Sequence, residues 1–561
     1  MKFNKHQLRQ ISPYLLIGAF YIVALLAIGM GGDFPLNDDW AYGEGVRHLL
    51  QGEGLIMPNV CAAGIAHVAL GFLTTKLIGY SYTSLRIFSF LITIFGAVAM
   101  FIAAASLRIT RIQAVFLTLL YAANPLLLNV AFGFMSDSTA LSLNMIFLAC
   151  LLRGLAKKSL KTMALAFVIL ALAISVRQSA LIFICLSPFC LSKRFGAGKA
   201  KIFVFTLALA LPLLSAWACD QWLVACHLQS GSINRGYDLV RQAHACVVNQ
   251  YLFSAPQMVL PTISAIGQVL CYLSLFCLPA LLPLLFLIVL PRRYKGLSRK
   301  IVLCIAALVL SAALIVVAYY HQTMPFSENI LRFTTTGAQG LLGIIRPALA
   351  PKGRMIITVI SFMLVVPLVV ALVGVARQLR KKTLVWQPAV ITVCSTVCLA
   401  FLTLETLVRC ADRYYLLALG PMLLAVGFYA RLSRTNLVNP LSVLLLLCIA
   451  SYSVAGNQEY LSSNRARWQA ISWLEKTGAK SAQIDGGYEY NILRDLSVYN
   501  TTYRGEPPRN NWRWWPIKGE NNIISFSPVP GYKTIHVEPY FSLLDRKTRN
   551  IEVLERMVEN R

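Results

Sequence analysis

The stretch 12-SPYLLIGAFYIVALLAIGM-30 decides the fold class, and the stretch that follows, 34-FPLNDDWAYGEGVRHLLQGEG-54, raises the question of function. The first is long enough to cross a bilayer as a helix, which takes about 20 apolar residues. The second places two adjacent carboxylates, Asp38 and Asp39, where that helix leaves the membrane. Similar apolar runs recur up to residue 455. Because backbone polar groups inside a bilayer must be satisfied within the chain, the sequence predicts a polytopic α-helical membrane protein.

The composition agrees with this class. Of the 561 residues, 57% are hydrophobic and 13% are charged, whereas soluble domains carry about 25% charged residues. The net charge of +28 comes mostly from the first 455 residues, which hold 36 Lys and Arg against 11 Asp and Glu. These basic residues gather in short clusters between apolar runs, as they do in the cytoplasmic loops of membrane proteins. The charge therefore indicates membrane orientation and not a nucleic-acid surface.

Placing the basic clusters on the inner side predicts thirteen crossings, with the N-terminus inside and the C-terminal segment outside. The run 112–130 is one crossing and leads to the outer residues 133–137. The run 162–192 is a tight hairpin with Arg177 at its outer tip. Residues 61–79 would put every later cluster on the wrong side if they spanned the membrane. We therefore expect them to form a helix that lies in the membrane interface or dips into it.

The chain is expected to divide into two domains. Residues 1–455 form the transmembrane domain, which includes a first outer loop at 31–83. Residues 456–561 form a small α/β domain on the outer side. It contains a helical pattern over 465–477, followed by strand-like runs at 481–485, 522–526 and 534–541, with Gly and Pro residues between them.

The carboxylate pair precedes a helical pattern over residues 40–51. Tyr42, Val46, Leu49 and Leu50 fall on one face of this helix, and charged and polar residues fall on the other. One explanation of the pair is structural, because Asn37, Asp38 or Asp39 could cap the helix and favour its positive end. A cap needs only one residue, however, and two adjacent carboxylates repel each other. A functional role for at least one of them is therefore favoured.

Five stretches resemble one family of membrane enzymes. They are residues 34–54, 77-LIGYSYTSLRIFSFL-91, 124-NPLLLNVAFGFMSDSTA-140, 409-RCADRYYLLALGP-421 and 484-IDGGYEYN-491. Together they are similar to GT-C glycosyltransferases, and in particular to the protein O-mannosyltransferase and lipid A aminoarabinose transferase group (glycosyltransferase family 39-like). The chain departs from the family at Asp39, where the family usually has Glu. Which of the two carboxylates is central therefore stays open.

The resemblance implies a GT-C fold and an activity. Such enzymes take a sugar from a polyprenyl-phosphate carrier on the outer face and transfer it to an acceptor, here a hydroxyl of a lipid, a glycan or a protein. Asp38, Asp39 and Asp137 are then the expected catalytic residues, since a carboxylate at the membrane surface can act as general base on a hydroxyl. Asp137 would lie across the cavity from Asp38, although it could also be only the N-cap of the helix that it begins.

Basic and aromatic residues in the same stretches are expected to bind the substrate. Arg177, Arg409 and Arg413 fall at outer helix ends, at the depth of a lipid phosphate, and the forked guanidinium donors suit phosphate. Their other explanation is that they snorkel to the membrane interface. Tyr42 and Arg86 are expected to contact the lipid phosphate or the sugar. No cofactor is required, and a divalent metal (Mg or Mn) held by Asp38 and Asp137 stays open.

Two other functions remain as alternatives. An O-antigen ligase or polymerase would depend on Arg and His in a large late loop, and a lipid-linked sugar transporter or flippase would place ionisable residues near helix midpoints. The expected location is a bacterial inner membrane, with the N-terminus cytoplasmic and the C-terminal domain periplasmic. The expected partners are the polyprenyl-phosphate sugar, the acceptor and membrane lipids, without nucleic acid.

Overall fold

The computed structural model shows a helical membrane part that ends in a small mixed sheet. The residues that it describes are 5–57, 62–195, 198–230, 235–289, 299–319, 323–327, 329–332, 336–338, 340–343, 351–380, 386–408, 411–494 and 521–557.

The α-helices of the first half of the chain are α1 Lys5–Ile28, α2 Asp39–Gln51, α3 Ile65–Ile78, α4 Tyr82–Ser106, α5 Arg111–Ala122, α6 Pro125–Ala131, α7 Ser136–Lys157, α8 Leu160–Val176 and α9 Lys199–Ser230. Those that follow are α10 Arg235–Phe253, α11 Val259–Phe276, α12 Leu278–Val289, α13 Arg299–Leu314, α14 Pro351–Ala376, α15 Trp386–Val408, α16 Leu416–Ser433, α17 Pro440–Lys476 and α18 Tyr488–Arg494. The strands are β1 Ile484–Asp485, β2 Asn522–Ser525, β3 Tyr532–Ser542 and β4 Lys547–Arg556.

Nine helices of the described residues are long and apolar enough to cross a membrane, or ten if the bent pair α5 and α6 is one crossing. The chain is thus an integral membrane protein. The thirteen crossings expected from the sequence are not confirmed. Some of the expected crossings are shorter helices: α8 has 17 residues, α12 has 12, and a 3-10 helix over Gln178–Leu191 has 14. The two α-helices fall short of the roughly 20 residues that a straight α-helical crossing needs, whereas the 3-10 helix, at about 2.0 Å per residue, is about 28 Å long.

The sequence suggested that the run 112–130 forms one straight helix, but the structure shows two. The run consists of α5 and α6, which are bent by 63° relative to each other. Asn124 causes the break, because its side chain accepts hydrogen bonds from the N–H groups of Leu126 (3.0 Å) and Leu127 (3.3 Å) and so caps a new helix. Pro125 follows at the first helical position, where its missing N–H costs nothing. The bend leads the chain into residues 132–137.

Residues 61–79 contain the 14-residue helix α3. At 1.5 Å per residue it is about 21 Å long, which is less than the roughly 30 Å hydrocarbon core. Gly64 begins it with a φ of +63°, and the Gly64 N–H donates to the Val176 carbonyl at 3.0 Å. This attachment holds the start of α3 at the end of α8, next to Arg177. The length and the attachment agree with a helix at the membrane interface.

The C-terminal part is built on α17, a single 37-residue helix. It passes without a break through residues 455 and 456, where the sequence predicted the division into two domains, so that division stays a prediction. The sheet has the order β1-β2-β4-β3, with β1 parallel to β2 and the other pairs antiparallel. The sequence did not predict β4, because charged residues occur throughout 547–556 and hide the buried residues Ile551 and Val553.

A buried ion pair joins this part to the first loop. Arg467 of α17 and Glu489 of α18 are 2.7 Å apart, and each side chain is only 2% exposed. Glu489 also accepts a hydrogen bond from the backbone N–H of Asn37 at 2.6 Å. Gly487 has a φ of +90°, and a Cβ there would lie 2.1 Å from the Gly340 carbonyl oxygen. The turn at residues 486–489 can therefore pack against the backbone of Gly340 only with glycine at position 487.

We expect Arg467→Met to destabilise the protein strongly, because it leaves the Glu489 carboxylate buried without its cation. Loss of one partner of a buried ion pair costs about 3–5 kcal/mol. Thermal unfolding of the purified protein in detergent measures this. The matched control is Arg494→Met, which breaks the 2.6 Å pair with Glu475 at a position where Arg494 is 52% exposed, and exposed pairs contribute about 1 kcal/mol or less. Equal unfolding temperatures for the two variants would contradict the role of the buried pair.

Candidate active site

Four charged side chains from distant parts of the chain form one network, which we name the charged cluster: Asp38, Asp137, Arg177 and Arg413. Arg413 Nη2 lies 2.8 Å from Asp38 Oδ2, and Arg413 Nε lies 3.7 Å from Asp137 Oδ2. Arg177 Nη1 lies 2.9 Å from the same Asp137 oxygen. Arg413 therefore bridges the two carboxylates, and Asp137 holds the two arginines together.

The ends of helices bring these residues together. Asp38 directly precedes α2, and Asp137 lies in the first turn of α7. Arg177 follows α8, and Arg413 belongs to the 3-10 turn Asp412–Tyr415 that precedes α16. All four positions are thus at the rim of the membrane part and not in the middle of a crossing.

A side-chain cap does not explain Asp38 or Asp137. Asp38 occupies the N-cap position of α2, but its side chain makes no cap hydrogen bond. Its Oδ2 contacts Arg413, and its Oδ1 accepts a hydrogen bond from Tyr488 Oη at 3.4 Å. Asp137 lies inside the first turn of α7, and Met135 takes the N-cap position there. Both carboxylates are therefore engaged with other parts of the chain.

Asp39 does not join the cluster. Its side chain is fully buried, and among the described residues neither carboxyl oxygen has a hydrogen-bond partner of good geometry. A Cβ at Gly133 would lie 3.3 Å from Asp39 Oδ1, so the backbone of Gly133 packs closely against the carboxyl group. Burial raises the pKa of Asp39 to about 7, and the nearby Phe134 amide and the Arg86 guanidinium oppose only part of that rise. The two adjacent aspartates thus occupy opposite environments, one partly open and paired, the other closed and unpaired.

Asp412 fixes the backbone beside Arg413. The buried Asp412 carboxylate accepts hydrogen bonds from the N–H groups of Ile330 at 3.0 Å and Leu331 at 2.5 Å. This holds Asn329 close enough for its Oδ1 to accept a hydrogen bond from Arg413 Nη1 at 3.3 Å. The sequence of the stretch 409–421 did not by itself indicate a role for Asp412. The adjacency of Asp412 to Arg413 was the available signal.

Aromatic residues support the two arginines. The Arg177 and Arg413 guanidinium carbons lie 5.0 Å and 5.8 Å from the centre of the Tyr414 ring, a distance at which a cation is attracted to the ring. Tyr42 Oη and Ser136 Oγ are 2.8 Å apart, and Arg177 Nη1 donates to the same Ser136 oxygen at 3.3 Å. Tyr42 therefore reaches the cluster through Ser136.

His67 holds the segment that carries Asp137. Its Nε2 donates to the Phe134 carbonyl at 3.1 Å, and its Nδ1 lies 2.9 Å from Thr139 Oγ1. Burial lowers the pKa of His67 to about 4, so the ring is neutral at physiological pH. The sequence did not predict a role for His67, because this residue lies inside an apolar helix without a charged neighbour.

Arg86 lies apart from the charged cluster. It is fully buried, and it donates to the carbonyl groups of Gly32 (2.7 Å) and Phe34. Its guanidinium group also lies 4.6 Å from the centre of the Phe34 ring. Arg86 therefore holds the chain that leads from α1 to Asp38. Arg409 lies outside the described residues.

The donor set does not fit a divalent cation. Asp38 and Asp137 both face the guanidinium group of Arg413, which places a positive charge where a metal would have to bind. In the described part of the chain, no group of three or more His, Cys, Asp or Glu side chains could hold a metal ion. We therefore derive no step through a metal.

Comparison with protein-family models finds no match, and comparison with curated proteins finds none. The chain is similar to three kinds of solved structure. The S. cerevisiae protein O-mannosyltransferase Pmt1-Pmt2 complex bound to the sugar donor is 13% identical, with a TM-score of 0.32 over 39% of this chain and 34% of that chain. Archaeal oligosaccharyltransferase AglB from Archaeoglobus fulgidus, in complex with an inhibitory peptide and a dolichol-phosphate, is 12% identical, with a TM-score of 0.40 over 91% and 61%. ArnT from Cupriavidus metallidurans bound to undecaprenyl phosphate is 12% identical, with a TM-score of 0.36 over 97% and 98%.

This chain thus spans 34% of the O-mannosyltransferase and 61% of AglB. The O-mannosyltransferase belongs to the group that the sequence resembles. Likeness at these identities and TM-scores does not establish chemistry or substrate, so the function below is inferred from the charged cluster itself.

The raised pKa of Asp39 predicts a pH dependence of stability. A carboxyl group whose pKa is higher in the folded protein than in the unfolded chain costs nothing below its unfolded pKa, and the cost grows until the pH passes the folded pKa. Between pH 5 and pH 8 we expect a loss of roughly 2–3 kcal/mol of unfolding free energy from this group, at about 1.4 kcal/mol per unit. Asp39→Asn should remove that loss.

Thermal unfolding in detergent at pH 5 and pH 8 checks this expectation. The control is Asp38→Asn, which changes the neighbouring, partly exposed carboxylate and should keep most of the wild-type pH dependence, because burial is the largest cause of the raised pKa of Asp39 and the charge of Asp38 is a smaller one. If Asp39→Asn loses as much stability as the wild type over the same range, Asp39 is not the buried titrating group.

Proposed function

We propose that this protein is a membrane glycosyltransferase of the GT-C type that transfers a sugar from a polyprenyl-phosphate carrier to an acceptor hydroxyl. The observation that carries the proposal is the charged cluster, in which the 36% exposed carboxylate of Asp38 lies against Arg413, and Asp137 holds Arg177 beside Arg413 at the membrane rim. A base for the acceptor and a binding site for the phosphate of the carrier are then adjacent.

The two arginines suit the phosphate of the donor. Arg177 and Arg413 lie at the ends of helices that begin or end at the membrane surface, which is the depth of a lipid phosphate. Forked guanidinium donors match phosphate oxygens, and charge-assisted hydrogen bonds of this kind are strong. In this structure Asp38 and Asp137 balance the arginines. A bound phosphate would share that positive charge, while Asp137 keeps the two guanidinium groups in place.

Asp38 is the better candidate for the base. It is the more accessible of the two adjacent aspartates, whereas Asp39 is fully buried and meets no solvent. A substrate hydroxyl must come within about 3 Å of its base, so Asp39 cannot serve without a rearrangement of the loop. We therefore assign the proton transfer to Asp38 and a supporting position to Asp39.

The proposed step follows from these positions. Asp38 takes the proton of the acceptor hydroxyl as the acceptor oxygen forms a bond to the anomeric carbon of the sugar. The bond between that carbon and the phosphate oxygen breaks, and the phosphate keeps the electron pair. Arg177 and Arg413 stabilise the negative charge that grows on the leaving phosphate, since fixed charges in a partly buried site act more strongly than in water.

The position of the cluster favours this function over the alternatives. A transporter would place its ionisable groups near the middle of the crossings, whereas the four residues here lie at helix ends. A ligase of the Arg and His type would need a histidine at the site, and the described histidine nearest to it, His67, is buried and held by Thr139 and Phe134. We further propose that the acceptor is a lipid, glycan or protein hydroxyl on the periplasmic face of a bacterial inner membrane.

Sugar transfer by the purified protein in lipid, with labelled polyprenyl-phosphate sugars, tests the function. We expect Asp38→Asn to lower the transfer rate about 10²–10⁴-fold, which is the usual contribution of a general base. Glu44→Gln is the matched control, because Glu44 lies on α2, the helix that Asp38 precedes, and pairs with Arg47 at 3.0 Å. Its rate should stay within about twofold of the wild type. If the wild type consumes no carrier-linked sugar, or if Asp38→Asn equals Glu44→Gln, the proposal fails.

Tyr488 should act on the same step as a positioning residue, because its hydroxyl donates to Asp38 from the C-terminal part of the chain. We expect Tyr488→Phe to lower kcat about tenfold with little change in KM, since a hydrogen bond to a charged group contributes about 1.5–3 kcal/mol. Tyr490→Phe is the control: this buried tyrosine of the same helix donates to Glu475 at 2.9 Å, away from the cluster. It should change the unfolding temperature and not kcat. Equal kcat values for the two variants would remove Tyr488 from the site.

A further inference from the structure

The hairpin formed by β3 and β4 runs along α17 toward the membrane. At the end of the hairpin that lies farther from the membrane, the ring centres of His536 and Trp473 are 4.1 Å apart and the rings stack. At the end nearer to the membrane, Ser542 Oγ donates to the Glu459 carboxylate at 2.8 Å. Strand β3 therefore runs toward the membrane while α17 runs away from it. The tip of the hairpin, residues 541–547, is the part nearest to the membrane.

The length of α17 indicates where the hairpin tip lies relative to the bilayer. Gln458 Nε2 donates to the Phe541 carbonyl at 3.0 Å, and Gln458 Oε1 accepts from the Leu543 N–H at 2.9 Å. Gln458 comes 18 residues after Pro440, the first residue of α17, which is about 27 Å at 1.5 Å per residue. The hydrocarbon core is roughly 30 Å thick. The hairpin tip thus lies where α17 leaves the bilayer.

The end of α1 gives a second, independent estimate of the depth of the hairpin tip. Arg465 of α17 donates to the carbonyl groups of Ile28 at 3.0 Å and Gly29 at 2.9 Å, at the end of the apolar helix α1. Gln458 is seven residues nearer to the membrane than Arg465, which is about 10 Å along the helix. The hairpin tip is therefore at the end of α1 or deeper.

The surface below the tip faces lipid. Leu447 and Leu444 precede Gln458 by 11 and 14 residues, so they point within about 20° and 40° of its direction. Both are exposed on the surface of the helix bundle. The hairpin tip thus continues downward into the membrane-facing side of α17 and not into the interior of the bundle.

The side chains of the tip match a bilayer interface. Phe541 of β3 is 49% exposed, and Leu543, in the turn that follows the strand, is 38% exposed. Arg546 and Lys547 follow them and are exposed as well. Apolar and aromatic side chains beside basic ones are the usual composition of segments that lie at the headgroup level of a membrane.

We propose that the hairpin tip, residues 541–547, inserts into the bilayer interface beside α17, on the side of the charged cluster. Phe541 and Leu543 enter the boundary between headgroups and acyl chains, and Arg546 and Lys547 bind the phosphates of anionic lipids. The contact holds the C-terminal sheet against the membrane, and it is independent of the proposed sugar transfer.

The test uses the full-length protein in nanodiscs that contain anionic lipid, with Phe541 replaced by the photoreactive analogue benzoylphenylalanine. Mass spectrometry after illumination identifies what the label has captured. The matched control carries the same analogue in place of Ile535, which is also exposed and apolar but lies about 20 Å higher along the strand. Both variants must elute and unfold like the wild type.

We expect lipid adducts at position 541 and at least about fivefold fewer at position 535. Equal yields at the two positions would show a contact without a defined depth and would overturn the proposal. So would adducts at position 541 with residues 495–520 of the same chain in place of lipid, because another part of the protein would then cover the tip.

Discussion

The architecture depends on the requirement that charge at the membrane rim be compensated. Arg413 is almost buried, and it can remain so because Asp38 and Asp137 lie within 2.8 Å and 3.7 Å of it. Loss of either carboxylate would leave a cation in a place of low polarity, which is costly. Since the four residues of the charged cluster lie at the ends of four different helices, their pairing also fixes how those helix ends stand relative to one another.

Much of this arrangement follows from the sequence, and the reasons are local. The amphipathic pattern after Asp39 predicted α2 within about a residue, because apolar spacing in a helix is set by its turn. The basic pieces and apolar runs identified the membrane class. The number of crossings did not follow, because a run such as 162–192 can form an α-helix, a 3-10 helix or a hairpin with the same composition. Strand β4 was missed for a related reason, since its buried residues alternate with charges that face solvent.

At the site, the sequence indicated the acidic and basic residues but not their partners. Asp38, Asp137, Arg177 and Arg413 were selected individually, and the structure brings them together. Arg86 was expected to contact the substrate, yet it holds the backbone of residues 32–34. Tyr488 could not be assigned, because its contact with Asp38 joins residues 450 positions apart, and no local pattern reports such a distance. The opposite burial of Asp38 and Asp39 likewise depends on tertiary contacts.

That long separation also sets an order of events during biosynthesis. Helices enter the membrane in the order in which the ribosome delivers them, so Asp38 is in place long before Arg413 and Tyr488 exist. Until α16 is delivered, the Asp38 carboxylate must stay hydrated or find a temporary partner. The turn at 486–489 arrives later still, and only then can Asn37 donate to Glu489. A nascent chain that stalls before this turn carries all four residues of the charged cluster but lacks the contact that fastens the first loop, so the loop can be fixed only after the membrane part has been made.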